Sequence, residues 1–369
     1  MPELIITGIL IIYILINLLL QFGLSRKTKI LRQQPAVSIL ISARDEEEHL
    51  AQCLESIVRL EYPAQLLEVL ILNDHSVDST LQIAQSYAGQ YRQLRVIDID
   101  TLVPGLQVQG KMNALAQGLE QARGEIILIT DADCRVPPGW ISEFVKYFTA
   151  DVGLAGSVTL LSPLIHQDTC FTRVQNLDWI FLQGVAAGTA ALSLPVTVLG
   201  NNFGFRRQAY LDTGGFAALG FSLAEDMQLL QAIHRQGWKV VYPLQAATAV
   251  SSEPLPTVRE FYRQRLRWVK SGGTASWWGY VLMSTSLLAH LVMVVAVIFK
   301  LLNLSVAIAI TLALFADLIF LLRLLKRFRL GRLIFYFPLF EIFYLLYTLF
   351  FAVIFFLPAG VVWKDRQYK

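Results

Sequence analysis

Long apolar runs at both ends of the chain enclose a middle where short apolar runs alternate with amphipathic stretches. Four runs reach the roughly 20 apolar residues that a bilayer crossing needs: Leu4–Leu24, Tyr280–Phe299, Leu301–Leu322 and Leu333–Leu357. Between the first and second lies Ser25–Gly279, a stretch of ordinary polarity and enough for one large α/β domain. Within it, Val37–Ser42, Leu67–Leu72, Arg95–Ile99 and Ile126–Thr130 read as strands. The last is almost continuously apolar, as expected of a strand buried on both faces of a parallel sheet. Apolar residues at helical spacing predict helices through Leu50, Leu54, Ile57 and Val58, from Leu81 to Tyr87, and through Met112, Leu115, Ala116 and Leu119. Gly124 is placed to stop the third of these. Pro104–Gln109 reads as a loop before it.

Beyond that point the pattern predicts a helix from Pro138 through Phe148, a strand over Val152–Leu160, and a long apolar helix over Gln167–Ala187. The aromatic residues of that helix suit a core, and they also suit a face at a membrane interface. Leu199–Arg207 precedes a short helix, and the paired glycines Gly214 and Gly215 beyond it read as a tight loop with positive φ. Ala224-Glu225-Asp226 opens a helix with Leu229, Leu230 and Ile233 on its apolar face, and Arg259–Lys270 forms a basic amphipathic helix. The expected organisation is an N-terminal anchor over 1–24, an α/β domain over 25–255, a basic interfacial helix within 256–279, a membrane region of about three helices over 280–357, and a tail over 358–369.

Composition supports the membrane reading: 55% of 369 residues are hydrophobic, 16% are charged, and the mean hydropathy is +0.51. The Met-Pro-Glu start lacks a basic n-region and no small-residue cleavage site follows, so the first run reads as an uncleaved anchor. Arg26, Lys27, Lys29 and Arg32 come directly after it and place the central domain in the cytoplasm, against the inner (plasma) membrane. Alternation then puts Lys300–Asn303 outside and Arg323, Lys326, Arg327, Arg329 and Arg332 inside. The tail, with Lys364, Arg366 and Lys369, falls outside against the rule, unless the last run, broken by Pro338 and carrying Glu341, does not fully cross. The net charge of +3 sits beside the apolar runs, which points to topology and lipid headgroups and not to nucleic acid. Cys53, Cys134 and Cys170 are too few and too scattered for a disulfide framework or a zinc site.

Candidate chemistry gathers where predicted strands end, the edge at which open α/β sheets take ligands. Asp131-Ala132-Asp133 follows a buried strand, and two carboxylates one residue apart can approach one hard divalent cation. Ala43, Arg44 and Asp45 occupy the turn after the first strand, while Glu47 and Glu48 suit the dipole of the helix that follows. Asp74 stands just past the second strand and can accept from a base N–H. His75 reads as a turn residue, since no second histidine has ligand spacing to it. Asp78 or Ser76 can cap the next helix.

The strings VSILISARDEEEHL, LNDHSVDST, GKMNAL, ITDADC, LAEDMQLL and QRLRW occur in the order found in family-2 glycosyltransferases of the GT-A fold. The chain most resembles the membrane-bound branch that includes ceramide glucosyltransferase, hyaluronan synthase and cellulose synthase. The resemblance covers about Val37 to Trp268 and, in layout, the flanking apolar runs. It implies a GT-A (Rossmann-like) cytoplasmic α/β domain with one N-terminal and about three C-terminal transmembrane helices. It also implies that Ala43, Arg44, Asp45 and Asp74 contact the nucleotide, Asp74 through the uracil of a UDP-sugar, although Asn73 stands where the family often has a second Asp. Lys111 would lie against the diphosphate, as suits the mouth of a helix. Asp131 would bind the nucleotide, and Asp133 would help hold Mg²⁺ or Mn²⁺. Asn201, Asn202 and Glu225 would line the acceptor side, and Asp226 would be the catalytic base in a motif whose first position is Ala224 here. Gln264, Arg267 and Trp268 match Q-x-x-R-W, which in such synthases caps the acceptor site and reaches the diphosphate. The implied activity is inverting transfer of a sugar from a nucleotide-sugar to a membrane lipid, with a processive polysaccharide synthase or a non-catalytic nucleotide-sugar-binding scaffold as alternatives.

Overall fold

A computed structural model describes residues 1–99, 109–162, 168–272, 275–357, 360–363 and 366–368. All but Gln109 of the loop expected at Pro104–Gln109 lies outside the described residues, as do Lys364 and Lys369 of the tail. In chain order the first half runs α1 (Pro2–Ser25), β1 (Val37–Ala43), α2 (Leu50–Val58), β2 (Leu67–Asn73), α3 (Thr80–Gln90), β3 (Leu94–Asp98), α4 (Lys111–Gln121), β4 (Ile126–Asp131), α5 (Trp140–Phe144), β5 (Val152–Gly156) and β6 (Thr159–Leu161). The second half runs α6 (Cys170–Ala191), β7 (Asn202–Arg206), α7 (Arg207–Asp212), α8 (Gly215–Leu219), α9 (Glu225–Arg235), β8 (Lys239–Val241), β9 (Val250–Ser252), α10 (Val258–Ser271), α11 (Trp277–Ile298), α12 (Leu304–Arg327) and α13 (Phe337–Phe356). These elements form two compact units.

The sheet unit comprises Lys27–Ile165 and Thr197–Glu253. Its main sheet has the order β3-β2-β1-β4-β7-β5-β8, with β3, β2, β1 and β4 mutually parallel and β7 antiparallel to both β4 and β5. The apolar runs that predicted the first strands are its interior: Ile39, Leu40, Ile41, Val69 to Leu72 and Ile126 to Ile129 are fully buried. Each such Ile or Leu stabilises the fold by about 1.5–3 kcal/mol through its removal from water. Register sets Ser42 beside both Leu72 and Asp131, and Ala43 beside Asn73. The carboxyl ends of β1, β2 and β4 therefore lie level, and the residues just past them share one edge.

Three expectations change here. The run Val152–Leu160 is two strands in different sheets, because Ser157 turns inward and donates to Pro243 O at 3.1 Å and to Thr248 Oγ1 at 2.7 Å. Asn202–Arg206, unassigned by sequence reading, is strand β7, wedged between β4 and β5. Gly204 lets it approach, since a Cβ there would meet Ile127 O at 2.7 Å. The helix expected to stop at Gly124 ends at Gln121. Gly124 serves close packing instead: its N–H donates to Ser38 Oγ at 2.7 Å, and a Cβ would press on the β1 backbone. The paired glycines keep their expected geometry, with φ of 79° at Gly214 and 67° at Gly215. The helix begun near Pro138 is short and passes into a tight turn at Val145–Tyr147.

The helical unit comprises Met1–Arg26, His166–Val196 and Pro254–Lys369. Four of its stretches are long and apolar enough to cross a membrane: Pro2–Ser25, Trp277–Ile298, Leu304–Arg327 and Gly331–Phe356. Their ends are chemically marked. Ser276 and Asn303 cap α11 and α12 by accepting from Gly279 N at 3.2 Å and Val306 N at 3.0 Å. Pro338 sits in the first turn of α13, where a missing N–H costs nothing.

The long aromatic helix α6, read within the α/β stretch of the sequence, belongs with these helices. Gly188 abuts the backbone of α1 at Leu20, Gly184 lies under Phe320 and Leu324 of α12, and the Phe181 ring is 5.8 Å from that of Phe340. Inside the unit Asp317 is 2% exposed and accepts from Tyr13 Oη at 2.9 Å and Asn17 Nδ2 at 2.8 Å. Glu341 Oε1 has no hydrogen-bond partner among the described residues.

Candidate active site

The level strand ends of the sheet unit carry two stitched loops and one charged cluster. The loops follow β1 and β2. Asp45 adopts φ 51°, accepts at Oδ1 from Val77 N at 2.9 Å, and its own N–H donates to Ser76 Oγ at 3.2 Å. Glu47 accepts from Ser79 N at 3.0 Å, and Asp78 accepts from Thr80 N at 2.9 Å. Asp78 thus serves the start of α3, whereas Ser76 binds the other loop. Asp74 is 3% exposed, its N–H donates to Ala43 O at 2.9 Å, and its Oδ1 lies 3.0 Å from His75 Nδ1. The Arg44 guanidinium donates to Asp74 O at 3.1 Å. Ala43, Arg44, Asp45 and Asp74 therefore share one wall. Asn73 Nδ2 donates to Asp98 Oδ1 at 2.6 Å, tying β2 to β3.

The charged cluster centres on Lys111, the first residue of α4. Its Nζ donates to Asp131 Oδ1 at 2.5 Å and to Gly200 O at 3.3 Å, and lies 3.5 Å from Glu225 Oε1. Burial works against this ammonium, but Asp131, Glu225 and Asp226 outweigh it and hold the pKa above the usual lysine range. Asp226 lies in the first turn of α9, and its Oδ1 accepts from Met227 N at 2.7 Å. Gly200 passes beneath it so closely that a Cβ there would stand 2.8 Å from Asp226 Oδ2. The sheet thus gathers Lys111, Asp131, Glu225 and Asp226, four residues spread over more than a hundred positions of sequence.

Asp133 lies beyond Asp131 in a tighter setting. Its Oδ2 accepts from Ser252 Oγ at 3.2 Å and its Oδ1 from Cys134 Sγ at 3.4 Å. Burial, and then the charge of Asp131, push its pKa up, while the Cys134 and Ser252 hydrogen bonds pull the other way. A half-buried carboxylate held by a hydroxyl and a thiol, beside a second carboxylate, is a hard-oxygen donor set, and it fits Mg²⁺ or Mn²⁺. Among the described residues no group of three or more His, Cys, Asp or Glu gathers to hold a metal. A divalent cation at Asp131 and Asp133 would complete its shell from diphosphate and water.

Asn201 and Asn202 separate in role. Asn201 is partly exposed and accepts from Thr159 Oγ1 at 2.8 Å. Asn202, expected to line the acceptor, is fully buried, with Oδ1 on Trp140 Nε1 at 3.1 Å and Nδ2 on Val158 O at 2.7 Å and Thr248 O at 2.9 Å. It pins α5 and β7 together. Gln264, Arg267 and Trp268 lie on α10 of the helical unit, where the Trp268 ring stands 5.3 Å from that of Trp179. Sequence reading passed over Ser252, whose serine-rich strand carries no motif, and Gly200, whose only signal is a glycine before the paired asparagines.

Comparison with known proteins finds similar sequences and a similar fold. A Nostoc protein named beta-monoglucosyldiacylglycerol synthase is 30% identical over 247 residues, covering 64% of this chain and 49% of its own. The poly-beta-1,6-N-acetyl-D-glucosamine synthase of Staphylococcus epidermidis is 23% identical over 242 residues, covering 65% of this chain and 55% of its own. The chain thus spans about half the length of the curated relatives it matches. Among solved structures, a mannosyltransferase from Pyrobaculum calidifontis in complex with GDP-Man and Mn²⁺ superposes with a TM-score of 0.59 at 17% identity, covering 92% of this chain and 98% of its own, a likeness of fold. The model of Glycosyl transferase family 21 matches residues 4–369, nearly the entire sequence, and the chain belongs to that family.

Proposed function

We propose that this glycosyltransferase moves a sugar, with inversion, from a nucleoside diphosphate sugar of the UDP type to the hydroxyl of a membrane lipid. In this reading it is an integral protein of the inner (plasma) membrane with its sheet unit in the cytoplasm. The observation that carries it is the cluster at the strand ends, where Lys111 is held by Asp131 and Glu225 beside the Asp226 carboxylate. The Asp226 carboxylate takes the proton of the acceptor hydroxyl as its oxygen attacks the anomeric carbon, because a hydroxyl is a poor nucleophile until that proton leaves. The bond from that carbon to the diphosphate oxygen breaks on the opposite face. Lys111, fixed in its charged form, faces the negative charge that grows on the leaving group. The loops carrying Arg44, Asp45 and Asp74 hold the nucleotide, and Asn201 and Glu225 lie towards the sugar and acceptor. Asp131 and Asp133 would hold the divalent cation, which when bound supplies further counter-charge to the diphosphate. Arg267 and Trp268, with Gln264, would close the acceptor side.

A lipid acceptor is supported by the four helices long enough to cross a membrane and by the name of the Nostoc relative. The staphylococcal relative supports a second reading, a synthase that extends a polysaccharide. The test is nucleotide release by the purified chain in native lipid extract with Mn²⁺, over a panel of UDP- and GDP-sugars, with Asp226→Asn in parallel. Labelled product in the organic phase that vanishes in the variant upholds lipid glycosylation. Large aqueous product selects the polysaccharide synthase, and binding without turnover overturns both.

A further inference from the structure

The motif helix α10 carries two arginines of the string QRLRW, and they occupy different settings. Arg265 is 2% exposed and forms an ion pair with Asp178 of α6, itself 5% exposed. Its guanidinium carbon also stands over four rings: Trp268 at 4.2 Å, Phe261 at 4.8 Å, Tyr347 at 5.6 Å and Trp179 at 5.7 Å. Those rings come from α10 itself, from α6 and from α13. A planar cation with a forked donor set can stack flat on rings while its fork holds a carboxylate, a fixed geometry that a compact ammonium does not offer. The cage ring at the shortest distance belongs to Trp268, and Arg267 is the residue between the two.

We infer that Arg265 and Asp178 form a positioning lock that fixes the rotation of α10, and through it presents Arg267 and Trp268 to the substrate. This rests on the reading of Gln264, Arg267 and Trp268 as site residues. The lock uses charge where apolar packing would hold the helix equally well. Replacing a buried ion pair by apolar residues of similar volume often leaves a fold intact, whereas removing one partner does not. Packing of Phe261 and Tyr262 against α13, with ring centroids 5.5 Å from Phe343 and 6.0 Å from Phe351, remains to keep α10 in place without the pair. What the pair adds is a directional constraint, since a salt bridge inside stacked rings tolerates little rotation about the helix axis.

The experiment uses the full chain in lipid nanodiscs, with UDP binding by calorimetry, thermal melting, and turnover of the donor selected by the panel in native lipid extract. The variants are Arg265→Met with Asp178→Leu, Arg265→Lys, and Arg267→Met. The double variant is expected to melt and bind UDP as the parent does, yet to lose at least tenfold in kcat, with Arg265→Lys between the two. A double variant that melts normally and turns over within twofold of the parent overturns the lock. So does one that cannot be folded while Arg265→Lys turns over as the parent, because a forked cation would then be unnecessary. Arg267→Met with unchanged turnover removes the underlying reading of the motif, and an impaired Arg267→Met beside an active double variant removes the lock alone.

Discussion

Acids with close partners occur in both units, and the partners differ in kind. In the sheet unit Asp131 and Glu225 flank Lys111 with Asp226 near by, and Asp133 accepts from a hydroxyl and a thiol. In the helical unit each of two acids is closed off by dedicated partners: Asp178 by Arg265 inside four rings, and Asp317 by Tyr13 and Asn17. The first arrangement groups partly exposed acids at the strand ends, where in the proposed reading a diphosphate-bound metal adds counter-charge. The second is buried and joins helices, through a cation at Asp178 and through neutral donors at Asp317. A partnered carboxylate is therefore not by itself a sign of chemistry, and its place at a ligand edge or between helices separates a site from a joint.

That contrast breaks most decisively at Asp226. Asp226→Asn is expected to lower kcat by about 10²–10⁴-fold, the range a general base supplies, with thermal melting unchanged, as a turnover assay beside a melting curve would show. Gly200→Ala tests the same carboxylate sterically. The new Cβ would stand 2.8 Å from Asp226 Oδ2, so kcat is expected to fall about tenfold, a barrier of about 1.4 kcal/mol, while UDP affinity measured by calorimetry holds.

The joint should respond in the other currency, stability without catalysis. Asp317→Ala orphans the Tyr13 hydroxyl and the Asn17 amide, at about 1–3 kcal/mol for each buried group left unmade. Detergent-denaturation curves would report that loss, and kcat per folded molecule should stay within twofold. A kcat that collapses with Asp317 would erase the distinction between the two kinds of acid. Smallest is Ser252→Ala, which removes one hydrogen bond to Asp133. It should raise the Mn²⁺ concentration for half-maximal turnover a few-fold, an effect of about 0.5–1.5 kcal/mol, read from a metal titration after chelation.

Much of the sheet was legible because parallel strands buried on both faces read as plain apolar runs, and the ligand edge lies where those runs stop. Asp131 was found at such a stop and Lys111 and Asp226 at helix starts, their roles implied by the family resemblance, and the structure brings the three together. Strand β7 was not legible, because Asn202 and Gly204 carry no strand preference and only the neighbours β4 and β5 make them one. Asn202 looked like an acceptor ligand for the same reason: its partners Trp140, Val158 and Thr248 are remote in sequence. The helical unit hid its polar joints more fully. Asp317 lies in an apolar run where Glu341 in a neighbouring run is equally conspicuous, and spacing cannot say which one will find donors. Arg265 falls off the basic face formed by Arg259, Arg263 and Arg267, so periodicity alone offers it no role.

The bond between Tyr13 and Asp317 also bears on how the protein is made. Its two ends are 304 residues apart, so α1 is made well before the helix that supplies its partner. At roughly 5–20 residues per second, α1 waits about 15–60 s with a tyrosine and two amide side chains, Asn17 and Gln21, still to be sheltered. In the proposed membrane reading, α1 has to be retained near the insertion machinery until α12 arrives, and a chain truncated before Asp317 is expected to be a substrate for membrane quality control.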